Sequence, residues 1–412
     1  MAELVHYVKQ DLTARTSTAT TAEESTDYTI TWANLTGAGF AAGDDVMVLV
    51  GVKMRNSNAN NSTKFQVGLG TTYAGRADET DSLMVQETAQ TSAGGHQYFW
   101  MDRRTLVTSE NIYFSKWVET GTGTYETFFC LVLKLGGLST NDWAYAETTP
   151  SGDASVTYTG GASITTPVSG DWLVFAFTHW LIDLANEGLF TRINVNAGTT
   201  VGETQSDSEN SADEQVLGTI TYQASLGASV SVQVEYRVET AATHDCNSTK
   251  VFALRLNAFQ DHDGVRSTNT ITHSVLDTFQ EFAGFPTYSK STTGNVIALA
   301  FPFHTTNEST KRPYGQVQLS NADWDAANRN RAAAFDNGLA ARIGPLMWAY
   351  GSVTAGTLDW DFDIAEDTDV TPSYNCVEQV AAVFSLELAS VTPEVGVYPP
   401  PFQHAPNVLL RM

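Results

Sequence analysis

Asp359, Asp361 and Asp363 alternate through Leu358-Asp359-Trp360-Asp361-Phe362-Asp363-Ile364, and Glu366, Asp367 and Asp369 follow closely. On a strand, alternate side chains point to one face, so these three carboxylates share a side and repel one another. Two arrangements relieve that repulsion: a solvated sheet face, or a bound cation. Calcium suits such a set, because it takes several oxygen ligands in flexible geometry. Asp261-His262-Asp263-Gly264 offers two ligands and a turn glycine without the rest of a calcium loop, and reads as a linker. Asp207 to Glu214 reads as a polar loop.

A second kind of chemistry is sugar stacking. Trp100 in Tyr98-Phe99-Trp100, Trp180 beside His179, and Trp143 are the residues whose rings suit the apolar face of a pyranose. The opposing reading is that they fill cores, where large aromatic rings usually belong. Trp117 and Trp360 sit in alternating runs and read as core. The sequence contains no Gly-rich phosphate loop with its lysine, no His-Glu-x-x-His and no Gly-x-Ser-x-Gly. A glycosidase needs only two suitably spaced carboxyl groups, and with 46 acidic residues no pair stands out. Cys130, Cys246 and Cys376 are an odd set without Cys-x-x-Cys spacing, and read as buried thiols.

Charge limits the partners. With 22 Lys+Arg against 46 Asp+Glu, the formal net charge is −24. Nucleic-acid affinity comes from cations displacing counterions, and anionic membranes also attract basic segments. Neither partner is expected. Acidity of this kind keeps copies soluble and apart. The first residues lack a basic start followed by an apolar block, and no apolar run reaches membrane-spanning length. Synthesis and folding in a cytosol are therefore expected.

The elements that would carry these residues recur. Asp45-Val46-Met47-Val48-Leu49-Val50, Asp171-Trp172-Leu173-Val174-Phe175-Ala176 and Asn295-Val296-Ile297-Ala298-Leu299-Ala300 each open an apolar run after a turn residue. Leu133-Lys134-Leu135, Leu254-Arg255-Leu256 and Leu386-Glu387-Leu388 each close one. The spacing, about 125 residues, is that of an independently folding domain rather than of a solenoid repeat. Within the repeats, alternation of period two dominates, as in Val230 to Val238, where every even position is apolar. That pattern predicts half-buried antiparallel strands. Loops such as Asn56 to Ser62 are rich in turn residues.

The fold expected is all-β: three tandem antiparallel β-sandwiches, jelly-roll-like, because the loops are long and an immunoglobulin Cys-Trp-Cys framework is missing. A short helical insert is expected in the third, over the Ala-rich stretch from Asn321 to Gly338. Leu181 to Asn186 is a shorter helical candidate. The boundaries are an N-terminal arm at 1–24, sandwiches at 25–138, 139–265 and 266–389, and a Pro-rich C-terminal arm at 390–412. Pro399-Pro400-Pro401 favours an extended conformer there.

These three strand sets, together with the Pro399-Pro400-Pro401 arm, give the chain a resemblance to the surface proteins of tailed-bacteriophage virions. The likeness is one of style along the whole chain and carries no contact residue. It implies a non-enzymatic structural protein on the particle exterior, a capsid decoration or fibre-type component. Its partners would be other virion proteins such as the major capsid protein. The alternative is a carbohydrate-binding adhesin that uses Trp100 or Trp180 on a host-surface glycan. A polysaccharide-degrading enzyme is a third reading, supported only by the supply of carboxylates. Three sandwiches in one chain could form a compact pseudo-trimer or a stalk, and the sequence leaves both open.

Overall fold

The computed structural model describes the chain apart from residues 1–2, 59–60, 89–95, 151–154, 182–186, 209–213, 241–243, 273–279, 282–286, 307–311, 321–329, 334–341, 345, 368–373 and 390–412. It is all-β, and the described residues include one short α-helix, Trp32–Gly37. Thr31 caps that helix, its side chain accepting from the Asn34 N–H.

The middle unit shows the plan. Its eight strands are Trp143–Thr148, Thr159–Thr165, Gly170–Leu181, Glu187–Val195, Thr199–Ser208, Glu214–Leu226, Ser231–Val238 and Asp245–Arg255. One sheet has the order first, eighth, third, sixth; the other has second, seventh, fourth, fifth. That is the double Greek key of a jelly roll. In the first unit the corresponding inner sheet is His6–Asp11, Gly123–Lys134, Asp45–Asn56 and His96–Thr105. In the third it is His262–Ser267, Tyr374–Ser385, Gly294–Thr306 and Met347–Val353. All three units therefore share one strand order.

A repeated irregularity shows that the units share one plan. Each eighth strand bulges by one residue against the third: between Glu126 and Phe129, at Cys246–Ser248 opposite Trp180 and His179, and at Cys376–Glu378 opposite His304 and Phe303. A bulge kinks and twists a strand locally, so its recurrence gives the three inner sheets a similar bend.

The apolar runs have two faces, and both are buried. In the third strand of unit one, Val46, Val48, Val50 and Val52 line the sandwich interior, whereas Met47 and Leu49 point the other way into a second core. Unit two repeats this, with Trp172, Val174 and Ala176 inside its sandwich and Leu173 and Phe175 in the second core. Unit three adds Ile297, Leu299, Phe301 and Phe303 to the same core. The three inner sheets thus face one shared apolar centre. Phe99 of unit one meets Phe301 of unit three edge-on at 5.7 Å, and Phe129 stacks on Trp348 at 4.9 Å. In the outer sheet of unit two one face stays partly solvated: Ser231–Val238 alternates exposed or intermediate with buried residues along its length.

The connections meet at one end of this centre, where Leu4, Leu135, Leu138, Leu256, Phe259 and Leu386 belong to the shared core. Glu3 bridges Glu387, Phe259 bridges Leu388, and the Leu4 N–H donates to the Leu386 carbonyl at 2.8 Å. The start of unit one is thereby fastened to the end of unit three.

Several sequence expectations change. Residues 6–24, set apart as an arm, contribute His6–Asp11, Arg15–Ser17 and Glu23–Glu24 to the sheets of unit one, where they pair with edges of Gly123–Lys134 and Asn111–Val118 that would otherwise be open. His262–Ser267 straddles the boundary drawn at 265 and is the first strand of unit three. In the expected helical insert, Asn330–Ala333 is a strand paired with Tyr314 to Val317. Sheet pairing there overrides the helix propensity of its alanines. The rest of that insert, Ile182 to Asn186 and the Pro-rich tail lie outside the described residues.

A Cβ placed on Gly218 of unit two would sit 2.3 Å from the Phe99 ring of unit one. Gly218→Val is expected to overpack that joint and cost about 1–3 kcal/mol in denaturant unfolding. Gly198→Ala, where the nearest atom is 4.0 Å away, should stay within about 0.5 kcal/mol. Small-angle scattering should give a radius of gyration of about 22 Å, the value for one compact body of this length; a rod-like profile would sink the shared-centre packing.

Candidate functional site

The densest polar cluster lies where unit one meets unit two. Lys250, on the eighth strand of unit two, interrupts the apolar run Thr249-Lys250-Val251-Phe252. Its side chain is 2% exposed, and its Nζ lies 2.7 Å from Asp81 Oδ2, 3.1 Å from Asp102 Oδ1 and 3.8 Å from Glu147 Oε1. Asp81 comes from the short 3-10 turn Thr80–Ser82 of unit one, and Asp102 from its sixth strand. Two elements of one jelly roll thus present carboxylates to a lysine of the next.

Each carboxylate is held from a further side. Trp100 Nε1–H donates to Asp81 Oδ1 at 3.2 Å, and Ser248 Oγ–H donates to Asp81 Oδ2 at 3.3 Å. Tyr145 O–H donates to Asp102 Oδ1 at 2.8 Å. Arg104 reaches Glu79 at 2.7 Å and Asp102 Oδ2 at 3.4 Å. Burial pushes the Asp81 carboxyl up, but the Lys250 ammonium and the donors from Lys250 and Trp100 outweigh it and hold Asp81 below its ordinary value. Burial likewise pushes Lys250 down, and Asp102, Asp81 and Glu147 together reverse that and raise it. Glu79 goes up, because burial exceeds the pull of Arg104. The ground state is therefore a buried ion pair with carboxylates in excess.

A second buried lysine, Lys290, is in contact with Glu387 and lies 3.5 Å from Asp261. Glu387 is the middle residue of the third Leu-x-Leu. The other two middle residues are cations and also pair, Lys134 with Asp44 at 2.8 Å and Arg255 with Asp142 at 3.0 Å. One ion pair per unit is kept at this position, with its sign reversed in the third.

Trp100 and Trp180 are corrected from ligand platforms to core. Both are fully buried. Trp100 sits inside the first sandwich with its N–H on Asp81, and Trp180 packs edge-on against Tyr236 at 5.7 Å with its N–H on Thr178 Oγ1 at 2.9 Å. Neither ring has a face free for a sugar. Trp143 is half-buried, stacked on Phe252 and covered by the Arg103 guanidinium. Trp117, expected as core, is only half-buried. Asp359, Asp361 and Asp363 occupy alternate positions of the strand Gly356–Asp367, opposite Ser320, Gln318 and Gln316; their side chains lie outside the described ones. Among the described residues no group of three His, Cys, Asp or Glu side chains is arranged to hold a metal ion. Asp261, His262 and Asp263 form a joint: His262 Nε2 lies 3.4 Å from Asp171 of unit two. The three cysteines are buried and unpaired, and burial raises each thiol.

Sequence reasoning missed the Lys250 cluster. The available signal was a lysine in a run otherwise apolar on both faces; its partners are far away in sequence.

No protein-family model and no curated protein matches the chain. Among solved structures it is similar to one titled as the triple jelly roll fold and turret assembly in an archaeal virus, at 10% identity over 94% of this chain and 91% of that one, with a TM-score of 0.20. It is similar to one of the Sulfolobus turreted icosahedral virus at 10% identity, over 82% and 79%, with a TM-score of 0.20. It is also similar to the CBM22-1–CBM22-2 tandem domain of Xyn10C from Paenibacillus barcinonensis at 11% identity, over 60% and 89%, with a TM-score of 0.19. Likeness at this level assigns no role.

Removing one partner of a buried ion pair strands the others. Lys250→Met is expected to cost about 3–5 kcal/mol, and adding Asp81→Leu should recover part of that loss in a double-mutant cycle. Trp100→Ala and Trp180→Ala should each cost about 3–5 kcal/mol in unfolding experiments and leave any signal on a glycan array unchanged.

Proposed function

We propose that this protein is a non-enzymatic structural component of a virion, carried on the particle exterior as a capsid decoration or fibre-type protein. It would bind neighbouring subunits, the major capsid protein first among them. The observation that carries this reading is the shared apolar centre, to which all three jelly rolls contribute. It makes one chain a compact pseudo-trimer instead of a string of free modules. Such a body offers three similar outer faces in a fixed arrangement and suits a local threefold position on a shell, where a trimer of single jelly rolls would otherwise bind.

The charge supports the same reading. A net charge of −24 keeps free copies from self-associating and offers nucleic acid and anionic membranes little attraction. The carbohydrate-binding alternative loses its two nominated residues, since Trp100 and Trp180 are core. The polar interior is engaged in ion pairs between and within units.

Quantitative mass spectrometry across a density gradient of native lysate tests the proposal. Co-sedimentation with particles at a ratio comparable to the shell subunit is expected for a decoration protein. A few copies per particle would move the protein to a vertex, collar or tail. Absence from every particle fraction would overturn the virion reading.

A further inference from the structure

The joint between units one and two supports an inference that does not depend on where the protein works. We propose that Lys250 and Asp81 condense into an amide, an isopeptide cross-link that fastens unit two covalently to unit one. The groups such a reaction requires are already assembled. The nucleophile is Lys250 Nζ, 2.7 Å from Asp81 Oδ2. The electrophile is the Asp81 carboxyl carbon, whose other oxygen, Oδ1, accepts the Trp100 N–H at 3.2 Å. The proton carrier is Asp102, whose Oδ1 lies 3.1 Å from the same Nζ and is oriented by Tyr145 at 2.8 Å. Lys250, Asp81, Asp102 and Ser248 are all buried, and Nζ sits 5.3 Å from the centre of the fully buried Trp100 ring.

The step balances without any outside reagent. From the ion-paired state, one ammonium proton passes to Asp81 Oδ2, leaving an amine beside a neutral carboxyl group. The nitrogen lone pair attacks the carboxyl carbon, and the carbonyl electron pair moves onto Oδ1. The Trp100 N–H stabilises that oxyanion, as a fixed donor in a dry site does. Asp102 takes a second proton from nitrogen and delivers it to Oδ2, which leaves as water as the carbon–oxygen bond breaks. One carbon–nitrogen bond forms, one carbon–oxygen bond breaks, and nothing is oxidised or reduced.

Two physical terms favour the reaction. The folded chain holds nucleophile and electrophile at contact distance, which replaces a bimolecular encounter by an intramolecular one. The product also removes one positive and one negative charge from a buried place, where each carries a desolvation cost. Asp102 retains Arg104 as a counter-charge at 3.4 Å.

The test is the mass of the full-length protein, purified, aged at neutral pH and denatured. The expected result is a mass lower than that of the linear sequence by one water, and a proteolytic digest containing a branched peptide that joins the segment around Asp81 to that around Lys250. Asp102→Asn keeps both reacting groups and should slow the loss of water at least tenfold; Asp81→Ala should abolish it. A wild-type protein that keeps the linear mass throughout overturns the proposal. So does a branched peptide joining Lys250 to Asp102 or Glu147. Neither result bears on the gradient experiment, and failure to sediment with particles leaves the cross-link untouched.

Discussion

A sheet with apolar side chains on both faces must be covered twice, and this constraint organises the molecule. A lone jelly roll covers one face of each sheet with the other sheet. The inner sheets here carry a second apolar face, through Met47, Leu49 and Leu131 in unit one, Leu173, Phe175 and Phe252 in unit two, and Ile297, Leu299 and Phe384 in unit three. Left exposed, each would be a patch of the kind that drives association. The chain covers all three by turning them toward one another. The N-terminal bridge to Glu387 and the gathering of the three unit ends follow from that closure.

The same constraint explains what could be read from the sequence. Period-two alternation from Val230 to Val238 identified a half-buried strand directly, because only one of its faces is buried. The unbroken runs at Asp45 to Val50 and Asp171 to Ala176 also carried information: an apolar run without alternation marks a strand buried on both sides. Trp100 belongs to such a run, Phe99-Trp100-Met101, in which Phe99 and Met101 face the shared centre and Trp100 the sandwich interior. Its burial was legible in its neighbours even though tryptophan as a residue type also suggested a ligand. The strand His6–Asp11 was less legible, because all its residues are only half-buried and no periodic pattern results. Its place depends on the edge of a strand more than a hundred residues away.

Long-range polar partners were beyond sequence reasoning for a different reason. Nothing local to Lys250 names Asp81 or Asp102, and abundant acidic residues make any guess weak. What the sequence did contain was the anomaly itself, a lysine within a doubly buried strand, which demands a counter-charge. Lys53, between Val52 and Met54, poses the same demand and finds Glu126 at 3.3 Å.

These polar partners do something the shared core cannot. Apolar burial is non-directional, and three sheets of the same order and similar bend could associate in more than one sequence around a centre. The joints differ in their charges. Units one and two meet through Lys250 with Asp81 and Asp102. Units two and three meet through His262 with Asp171, and through the Gly202 N–H on Glu378, which Arg266 also engages at 2.6 Å. Units three and one meet through His6 with Tyr350 and Asn295 with Glu3. Exchanging any two units would bury Lys250 away from its carboxylates, at the cost of an unpaired charge in a dry place. Apolar burial thus supplies the cohesion of the pseudo-trimer, and the unlike polar joints supply its order.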